Sequence, residues 1–181
     1  RTGRQFKRPR LGVDHREVQE RGRGRLTGHR PTGHNDSMSS GIVSCPSCGK
    51  RNRVPAATTG KPRCAQCRHW LPWIVDAGDA DFAAVVENSP VPVLVDLWAP
   101  WCGPCRTVSP ALEQLATERP GQIKLAKINV DVAPQTSQRF GVQAVPTLMI
   151  MRGSEVLSRQ AGAAPVAALR TWLDQTLPAT T

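Results

Sequence analysis

Residues 94–110 of the chain read LVDLWAPWCGPCRTVSP, and this stretch decides the fold. The apolar, β-branched run at residues 91–99 predicts a buried strand. The segment that follows carries apolar residues at helical spacing, namely Val108, Ala111, Leu112 and Leu115. Cys102 and Cys105 are therefore predicted at the start of a helix. Backbone N–H groups and the positive end of the helix dipole stabilise a thiolate there, and the thiolate is the reactive form of cysteine.

The segments on either side of this stretch alternate between helix and strand patterns. They predict a helix at residues 79–88, a strand at 123–131, a helix at 133–142, strands at 146–153 and 155–162, and a final helix at 164–177. Strands joined by helical crossovers run parallel, whereas the last two strands form an antiparallel hairpin. The sequence therefore predicts an α/β fold with a central mixed β-sheet flanked by helices.

Two further Cys-x-x-Cys pairs lie upstream of this region, and they comprise Cys45, Cys48, Cys64 and Cys67. Fifteen residues separate the two pairs, which is a spacing typical of zinc ribbons. Two thiolates in one tight turn bind an ion from one side, and two such turns complete a tetrahedral site. We predict that these four cysteines hold one structural zinc ion in a small ribbon at residues 38–75. Disulfides and a redox-sensing cluster are the alternatives.

The residues beside these pairs suit a ribbon. Gly49 and the small Ala65 are expected to let the two cysteine turns curl. His69 is expected at the surface, and it is the candidate replacement ligand if one cysteine is free. We expect Trp70 and Trp73 to fasten the ribbon to the domain that follows.

The net charge of +10 is concentrated in the first 75 residues. Residues 1–37 carry a net +6, residues 38–75 another +6, and residues 76–181 a net −2. Residues 1–37 are rich in Arg and Gly and lack apolar periodicity, so we expect a disordered basic extension. Because the first methionine is Met38, we favour an upstream extension or a misread start. A basic arm that contacts nucleic acid is the alternative.

Hydropathy and cysteine usage predict a cytoplasmic protein. No apolar run approaches the roughly 20 residues that a membrane span needs. No segment resembles a secretory signal. In a reducing compartment, paired cysteines more often bind metal or perform redox chemistry than form structural disulfides.

The motif WCGPC after a buried strand, with VPT at residues 145–147, resembles the thioredoxin family. The resemblance covers residues 76–177, and the four-cysteine segment before it resembles that of the zinc-ribbon thioredoxins, the thioredoxin 2 type. It implies a thioredoxin fold at residues 76–181 and a protein-disulfide reductase activity. Cys102 would be the exposed attacking cysteine, and Cys105 the buried resolving cysteine.

Asp96 is the one acidic residue within the predicted strand before the motif. A carboxylate there is costly to bury, and burial would raise its pKa toward the working range of a general base. The resemblance implies that Asp96 manages the proton of Cys105 and that Lys127 lies near it. The alternative is that Asp96 points to solvent from an edge of the sheet.

The resemblance also implies which residues shape the active-site loop and bind substrate. The loop residues would be Trp101, Gly103 and Pro104. The substrate-binding residues would be Val145, Gly162 and a cis-proline, Pro146. Pro100 departs from the family pattern, which often has an acidic residue there.

The resemblance finally implies partners and cofactors. Protein disulfides would be the substrates, and an NADPH-dependent thioredoxin reductase would regenerate the dithiol. Catalysis would need no cofactor beyond the redox-active disulfide. We expect a monomer with neither a membrane nor a nucleic acid as partner. The alternative is a redox-regulated zinc-ribbon binding module or holdase with a thioredoxin-like domain.

Overall fold

The computed structural model describes residues 41–178, so the predictions for residues 1–37 lie outside the described residues. These residues contain seven strands: β1 (Gly41–Ser44), β2 (Arg51–Val54), β3 (Ile74–Ala77), β4 (Val93–Trp98), β5 (Lys124–Asn129), β6 (Thr147–Arg152) and β7 (Glu155–Ala161). The α-helices are α1 (Gly103–Glu118), α2 (Pro134–Arg139) and α3 (Val166–Thr176), and Ala83–Glu87 forms a π-helical turn.

Five of the strands form one mixed sheet in the order β3-β5-β4-β6-β7. β5 runs parallel to both β3 and β4, while β6 is antiparallel to β4 and to β7. The predicted mixed sheet flanked by helices is therefore confirmed. Because β3, β5 and β4 point the same way, their carboxyl ends meet at one edge, and Cys102 follows β4 at that edge.

Two elements differ from the sequence prediction. β3 was not predicted, because a strand of four residues, IVDA, is too short to show a periodic pattern. It spans the expected boundary between residues 75 and 76. The helix predicted at residues 79–88 is reduced to the π-helical turn, in which the Asn88 N–H donates to the Ala83 carbonyl five residues back.

The two faces of the large sheet are covered by different elements. On one face, Leu94 of β4 packs in an apolar cluster with Leu112 of α1 and Leu169 of α3. On the other face, Val95 belongs to a cluster that includes the π-helical turn. Side chains alternate along a strand, so Asp96 points to the face that α1 covers.

The part of the ribbon that is described and precedes β3, residues 41–73, shares its apolar core with the sheet rather than forming its own. β1 and β2 pair as an antiparallel hairpin. Ala56, Leu71 and Trp73 are fully buried in the cluster that contains Val95. The Trp73 indole N–H donates to the Pro55 carbonyl at 2.9 Å. Trp73 therefore fastens the ribbon to the sheet as predicted.

Trp70 makes a second attachment. Its ring lies so close to Gly121, in the loop before β5, that a Cβ on this glycine would stand 3.0 Å from the ring. Gly121 also has a φ of +72°, which side-chain-bearing residues rarely adopt. The Arg63 guanidinium lies 3.7 Å from the centre of the Trp70 ring. Trp70 thus packs between an arginine of the ribbon and a loop of the sheet domain.

Lys124, the first residue of β5, is fully buried where the ribbon meets the sheet. Its amine donates to the carbonyl of Ala56 in the ribbon and to the carbonyl of Val85 in the π-helical turn. It also lies 4.2 Å from the centre of the Trp73 ring. Burial lowers the pKa of Lys124 to about 7, and the negative charge of Asp81 partly opposes this. The burial of Lys124 was not predicted from the sequence.

Within residues 41–178, none of the helices combines the length and the apolar character that crossing a bilayer requires.

Candidate functional site

Cys102 and Cys105 are joined by a disulfide at the start of α1, with their sulfur atoms 2.09 Å apart. Cys102 is the N-cap residue, and its Sγ accepts a hydrogen bond from the backbone N–H of Cys105 at 3.1 Å. Gly103 begins the helix, and Pro104 follows in the first turn, where no backbone N–H is needed. An N–H group that points at Cys102 Sγ would also stabilise its thiolate after reduction.

The two cysteines of the disulfide are buried, whereas Trp101 just before them is exposed to solvent. Cys102 is 4% exposed and Cys105 is 2% exposed. The expectation of an exposed Cys102 is therefore wrong for this oxidised form. Trp101 is 68% exposed. Its indole N–H is shared between the two carboxylate oxygens of Asp131, at 3.1 and 3.2 Å. Sequence reasoning missed Asp131, which fixes this ring beside the disulfide.

Asp96 is fully buried beneath α1 and does not face solvent from an edge. Its Oδ2 accepts a hydrogen bond from the Ser109 hydroxyl at 2.7 Å. Its Oδ1 has no hydrogen-bond partner among residues 41–178. Burial raises the pKa of Asp96, against the hydrogen bond from Ser109 and the positive charge of Lys127. The negative charge of Glu113 adds to the rise.

A cleft of about 370 Å³ lies along α1. Cys105 and Ser109 line it together with Lys127 and Glu113. The Lys127 amine and the Glu113 carboxylate form an ion pair at 2.7 Å. Lys127 is also the register partner of Asp96 across β5 and β4, so it lies near the acid, where the resemblance placed it. Ser109 and Glu113 were missed, although helical spacing puts Ser109 one turn after Cys105.

A second cleft, of about 350 Å³, is lined by Trp101. Val145 lines it, and the peptide bond between Val145 and Pro146 is cis. Val145 also packs against the cluster that contains both cysteines. Gly162, at a φ of +87°, donates its backbone N–H to the Pro146 carbonyl at 2.8 Å. The predicted substrate-binding residues thus lie together beside the disulfide.

The four upstream cysteines also converge. The sulfur atoms of Cys45, Cys48, Cys64 and Cys67 all lie within 4.8 Å of one another. The Cys45–Cys67 and Cys48–Cys64 sulfur pairs are 3.5 and 3.6 Å apart. Tetrahedral zinc with Zn–S bonds of about 2.3 Å needs sulfur atoms roughly 3.8 Å apart. The donor set and its spacing therefore fit one tetrahedral metal ion.

The two cysteine turns have the same backbone geometry. The N–H of Gly49 donates to the Cys45 carbonyl at 2.9 Å, and the N–H of Arg68 donates to the Cys64 carbonyl at 3.0 Å. Gly49 has a φ of +73° and Arg68 a φ of 62°. Arg68 therefore takes the same backbone conformation in the second turn as Gly49 does in the first. The prediction that Ala65 lets the second turn curl is wrong.

Asn52 of β2 links the first cysteine turn to the second. Its side-chain amide donates to the Lys50 carbonyl at 2.7 Å and lies 3.7 Å from Cys64 Sγ. Its side-chain oxygen accepts the backbone N–H of Ala65 at 3.0 Å. Backbone N–H groups of Cys67 and Gln66 lower the pKa of Cys64 to about 6 against the effect of burial. Asn52 was not predicted, because nothing in the sequence separates it from other polar residues of a hairpin.

The ribbon contacts the sheet at the end of the strands opposite the disulfide. Lys124, which binds the ribbon, is paired with Val93 at the start of β4, whereas Cys102 follows the end of that strand. A strand of six residues spans about 20 Å. The fold therefore separates the attachment of the ribbon from the Cys102–Cys105 disulfide.

Comparisons with known proteins agree with this geometry. The thioredoxin family model matches residues 73–175. A thioredoxin of Haemophilus influenzae is 43% identical over 102 residues, which cover 56% of this chain and 95% of that protein. Thioredoxin 1 of a Nostoc species is 46% identical over 99 residues, which cover 55% of this chain and 89% of that protein.

One relative extends the similarity into the ribbon. Thioredoxin C-3 of Corynebacterium nephridii is 38% identical over 139 residues, which cover 75% of this chain and 95% of that protein. An alignment of that length cannot fit within residues 73–175. It therefore includes at least part of the segment that carries the four upstream cysteines.

Proposed function

The chain belongs to the thioredoxin family of thiol–disulfide oxidoreductases, and we propose that it acts as a protein-disulfide reductase through Cys102 and Cys105. The observation that carries the proposal is a disulfide at a helix N-terminus beside a buried acid. The Gly-Pro pair between the cysteines favours reduction, because oxidising relatives usually carry a histidine there.

The reaction begins with the reduced dithiol. The Cys102 thiolate attacks one sulfur of a substrate disulfide, forms a mixed disulfide and releases the first substrate thiolate. The Cys105 thiolate then attacks Cys102 Sγ, and the bond between Cys102 and the substrate breaks. The substrate leaves as a dithiol, and the enzyme is left with the Cys102–Cys105 disulfide.

Asp96 acts as the general base for Cys105. Because burial raises its pKa, this carboxyl accepts and returns a proton more readily near neutral pH than an exposed aspartate would. Of the two charged residues that line the cleft, Lys127 lowers this pKa and Glu113 raises it, and both effects are smaller than those of burial and of the Ser109 hydrogen bond.

The substrate lies in the second cleft as an extended segment. The backbone of Val145, held by the cis bond to Pro146, pairs with it as an added strand would. Gly162 offers a surface without a side chain, and the exposed Trp101 supplies an apolar wall. Such backbone pairing suits a reductase that accepts many protein substrates.

The four upstream cysteines hold one structural zinc ion in a ribbon at residues 38–75, and residues 76–181 form the catalytic domain. When bound, zinc joins the two cysteine turns and adds to folding stability. The fit of the sulfur spacing supports zinc, and Asn52 supports the set by donating to Cys64.

The partners follow from the family. An NADPH-dependent thioredoxin reductase returns the disulfide to the dithiol. The protein works in the cytoplasm, where a reducing environment keeps the zinc-binding cysteines as thiols. One chain supplies every site residue, so a monomer suffices. We propose neither a membrane nor a nucleic acid as a partner.

The test uses insulin as a protein disulfide substrate, with dithiothreitol as the reductant. Wild type should reduce insulin well above the rate of dithiothreitol alone. Cys102→Ser should abolish this reduction. Cys105→Ser, reduced beforehand and then freed of dithiothreitol, should trap insulin on Cys102 as a mixed disulfide visible by mass spectrometry. Trapping through Cys105 in the Cys102→Ser variant instead would refute the assigned roles.

A redox-regulated holdase is a second candidate function that one observation favours. Cys48 and Cys67 of the metal-binding set are exposed, so an oxidant can reach them. Oxidation would release zinc and free the ribbon to bind unfolded protein. Peroxide should then release zinc and prevent aggregation of a denatured client protein. Zinc that stays bound under peroxide would refute this candidate.

A further inference from the structure

Ser109 makes an unusual hydrogen bond for a helical hydroxyl. Serine and threonine in helices commonly donate to the carbonyl four residues back. Four other hydroxyls of the described helices do so, namely those of Thr117, Ser137, Thr171 and Thr176, whereas Thr136 in the first turn of α2 donates to the Asp79 carboxylate. Ser109 instead donates across to the sheet, to Oδ2 of Asp96 at 2.7 Å. Local helix geometry therefore does not account for this bond.

The position of Ser109 connects the acid with the resolving cysteine. It lies four residues after Cys105, so the two side chains share one face of α1. Both residues line the cleft of about 370 Å³. Ser109 is half-buried, while Asp96 beneath it is fully buried.

The hydroxyl also makes the two oxygens of Asp96 different. Oδ2 is occupied by the hydrogen bond from Ser109. Oδ1 is buried and has no partner among residues 41–178. A carboxylate whose one oxygen is held in place can take a proton on the other without losing its orientation.

We propose that Ser109 is a positioning residue that holds Asp96 by Oδ2 and leaves Oδ1 to accept the Cys105 proton. This inference rests on the proposed function, in which Asp96 is the base. The S–H bond of Cys105 breaks, and its proton goes to Oδ1. The Cys105 sulfur then attacks Cys102 Sγ, and the substrate sulfur leaves with the electron pair of the broken S–S bond.

The hydroxyl also limits how far burial raises the pKa of the acid. A hydroxyl that donates to a carboxylate favours its ionised form, and this bond is the foremost influence opposing burial at Asp96. Without Ser109, the acid would hold a proton at neutral pH more often, and fewer molecules could accept one from Cys105.

The first test measures the pKa of Asp96 in the oxidised protein from the ¹³C NMR shift of its carboxyl carbon. Ser109→Ala should raise this pKa by about one to two pH units, since a hydrogen bond to a charged group is lost. Ser109→Thr keeps the hydroxyl and should stay near wild type. Thr107→Ala removes an exposed hydroxyl of the same helix and should match wild type. An unchanged pKa in Ser109→Ala overturns the inference.

The second test follows the resolution step with 5,5′-dithiobis(2-nitrobenzoate), whose second thiolate is released when Cys105 attacks. The rise of this rate with pH should move to higher pH in Ser109→Ala. Adding Ser109→Ala to Asp96→Asn should cause no further change, because the serine acts through the acid. Additive effects would overturn the inference.

The outcomes separate this inference from the function on which it rests. If Asp96→Asn resolves as fast as wild type at every pH, the base role of Asp96 is refuted, and the inference falls with it. If Asp96→Asn is slow while Ser109→Ala matches wild type in both tests, only the role of Ser109 is refuted.

Discussion

The stability of this protein should rise between about pH 7.5 and 9.5 because of the buried amine of Lys124. Its pKa is about 7 in the folded protein, against an ordinary value of 10.5. Between these values the unfolded chain binds one proton more than the folded chain. Stability therefore rises with pH, by about 1.4 kcal/mol per pH unit. The full effect, across the difference of 3.5 between the two values, is on the order of 5 kcal/mol.

The geometry explains why the neutral amine suits this position. A neutral lysine amine still has two N–H groups, and Lys124 donates to two carbonyls, those of Ala56 and Val85. The structure places no carboxylate in hydrogen-bond contact with it among residues 41–178, and Asp81 acts only through its charge. Deprotonation therefore removes the cost of a buried charge without breaking either hydrogen bond.

The assay is urea denaturation of the oxidised, zinc-loaded protein at several pH values, with Lys124→Met as the comparison. The difference in unfolding free energy, wild type minus variant, should grow by about 1.4 kcal/mol per pH unit from about pH 7.5 to 9.5. The variant also leaves two buried carbonyls without donors, which adds a penalty of about 1–3 kcal/mol for each at every pH. Comparing slopes cancels this penalty and the titration of other groups.

Lys61→Met is the matched control, because it removes a lysine whose side chain is exposed, with its amine 5.7 Å from the centre of the Trp70 ring, and so takes no buried amine out of the folded protein. Its difference from wild type should stay level across the same range. A level difference for Lys124→Met as well would show that Lys124 stays protonated in the folded protein. That result would refute the account of this junction.

Three further predictions test other parts of the structure. Asn52→Ala should weaken zinc binding by about 10–100-fold, measured by competition with a chelator, because Cys64 loses a donor; unchanged affinity would contradict this. Asp96→Asn should raise stability at pH 7, because burial raises the carboxyl pKa and folding therefore disfavours its charge. This gain should vanish as the pH falls below the pKa of the aspartate in the unfolded chain. Urea denaturation at pH 7 and pH 3 measures the gain, and a larger gain at pH 3 than at pH 7 would contradict the prediction. Gly121→Ala should cost about 1–3 kcal/mol, because its φ is positive and its Cβ would meet Trp70; a wild-type melting temperature would argue against that packing.

Much of the fold could be predicted because its signals are local. The β-branched run before Cys102 and the helical spacing after it fix the strand, the turn and the helix. The spacing of the upstream cysteines predicted their convergence, because a metal site built from two short turns also depends on local geometry.

The parts that were missed depend on contacts between distant segments. Lys124 lies 68 residues from Ala56, and Asp131 lies 30 residues from Trp101. The sequence alone does not show whether a lysine is buried or which residue an aspartate contacts. The position of Ser109 near Cys105 could have been predicted from helical spacing. Its hydrogen bond to Asp96 could not, because the sequence does not show which face of the strand packs against α1.

The measurement that tests the central claim most directly is the reduction potential of the Cys102–Cys105 pair, determined by equilibration with glutathione or dithiothreitol while zinc stays bound. The account predicts a value close to about −270 mV, the potential known for thioredoxin itself, at which the dithiol reduces most exposed protein disulfides. A value between about −180 and −120 mV, typical of isomerases and oxidases, would contradict the claim that this protein is a reductase.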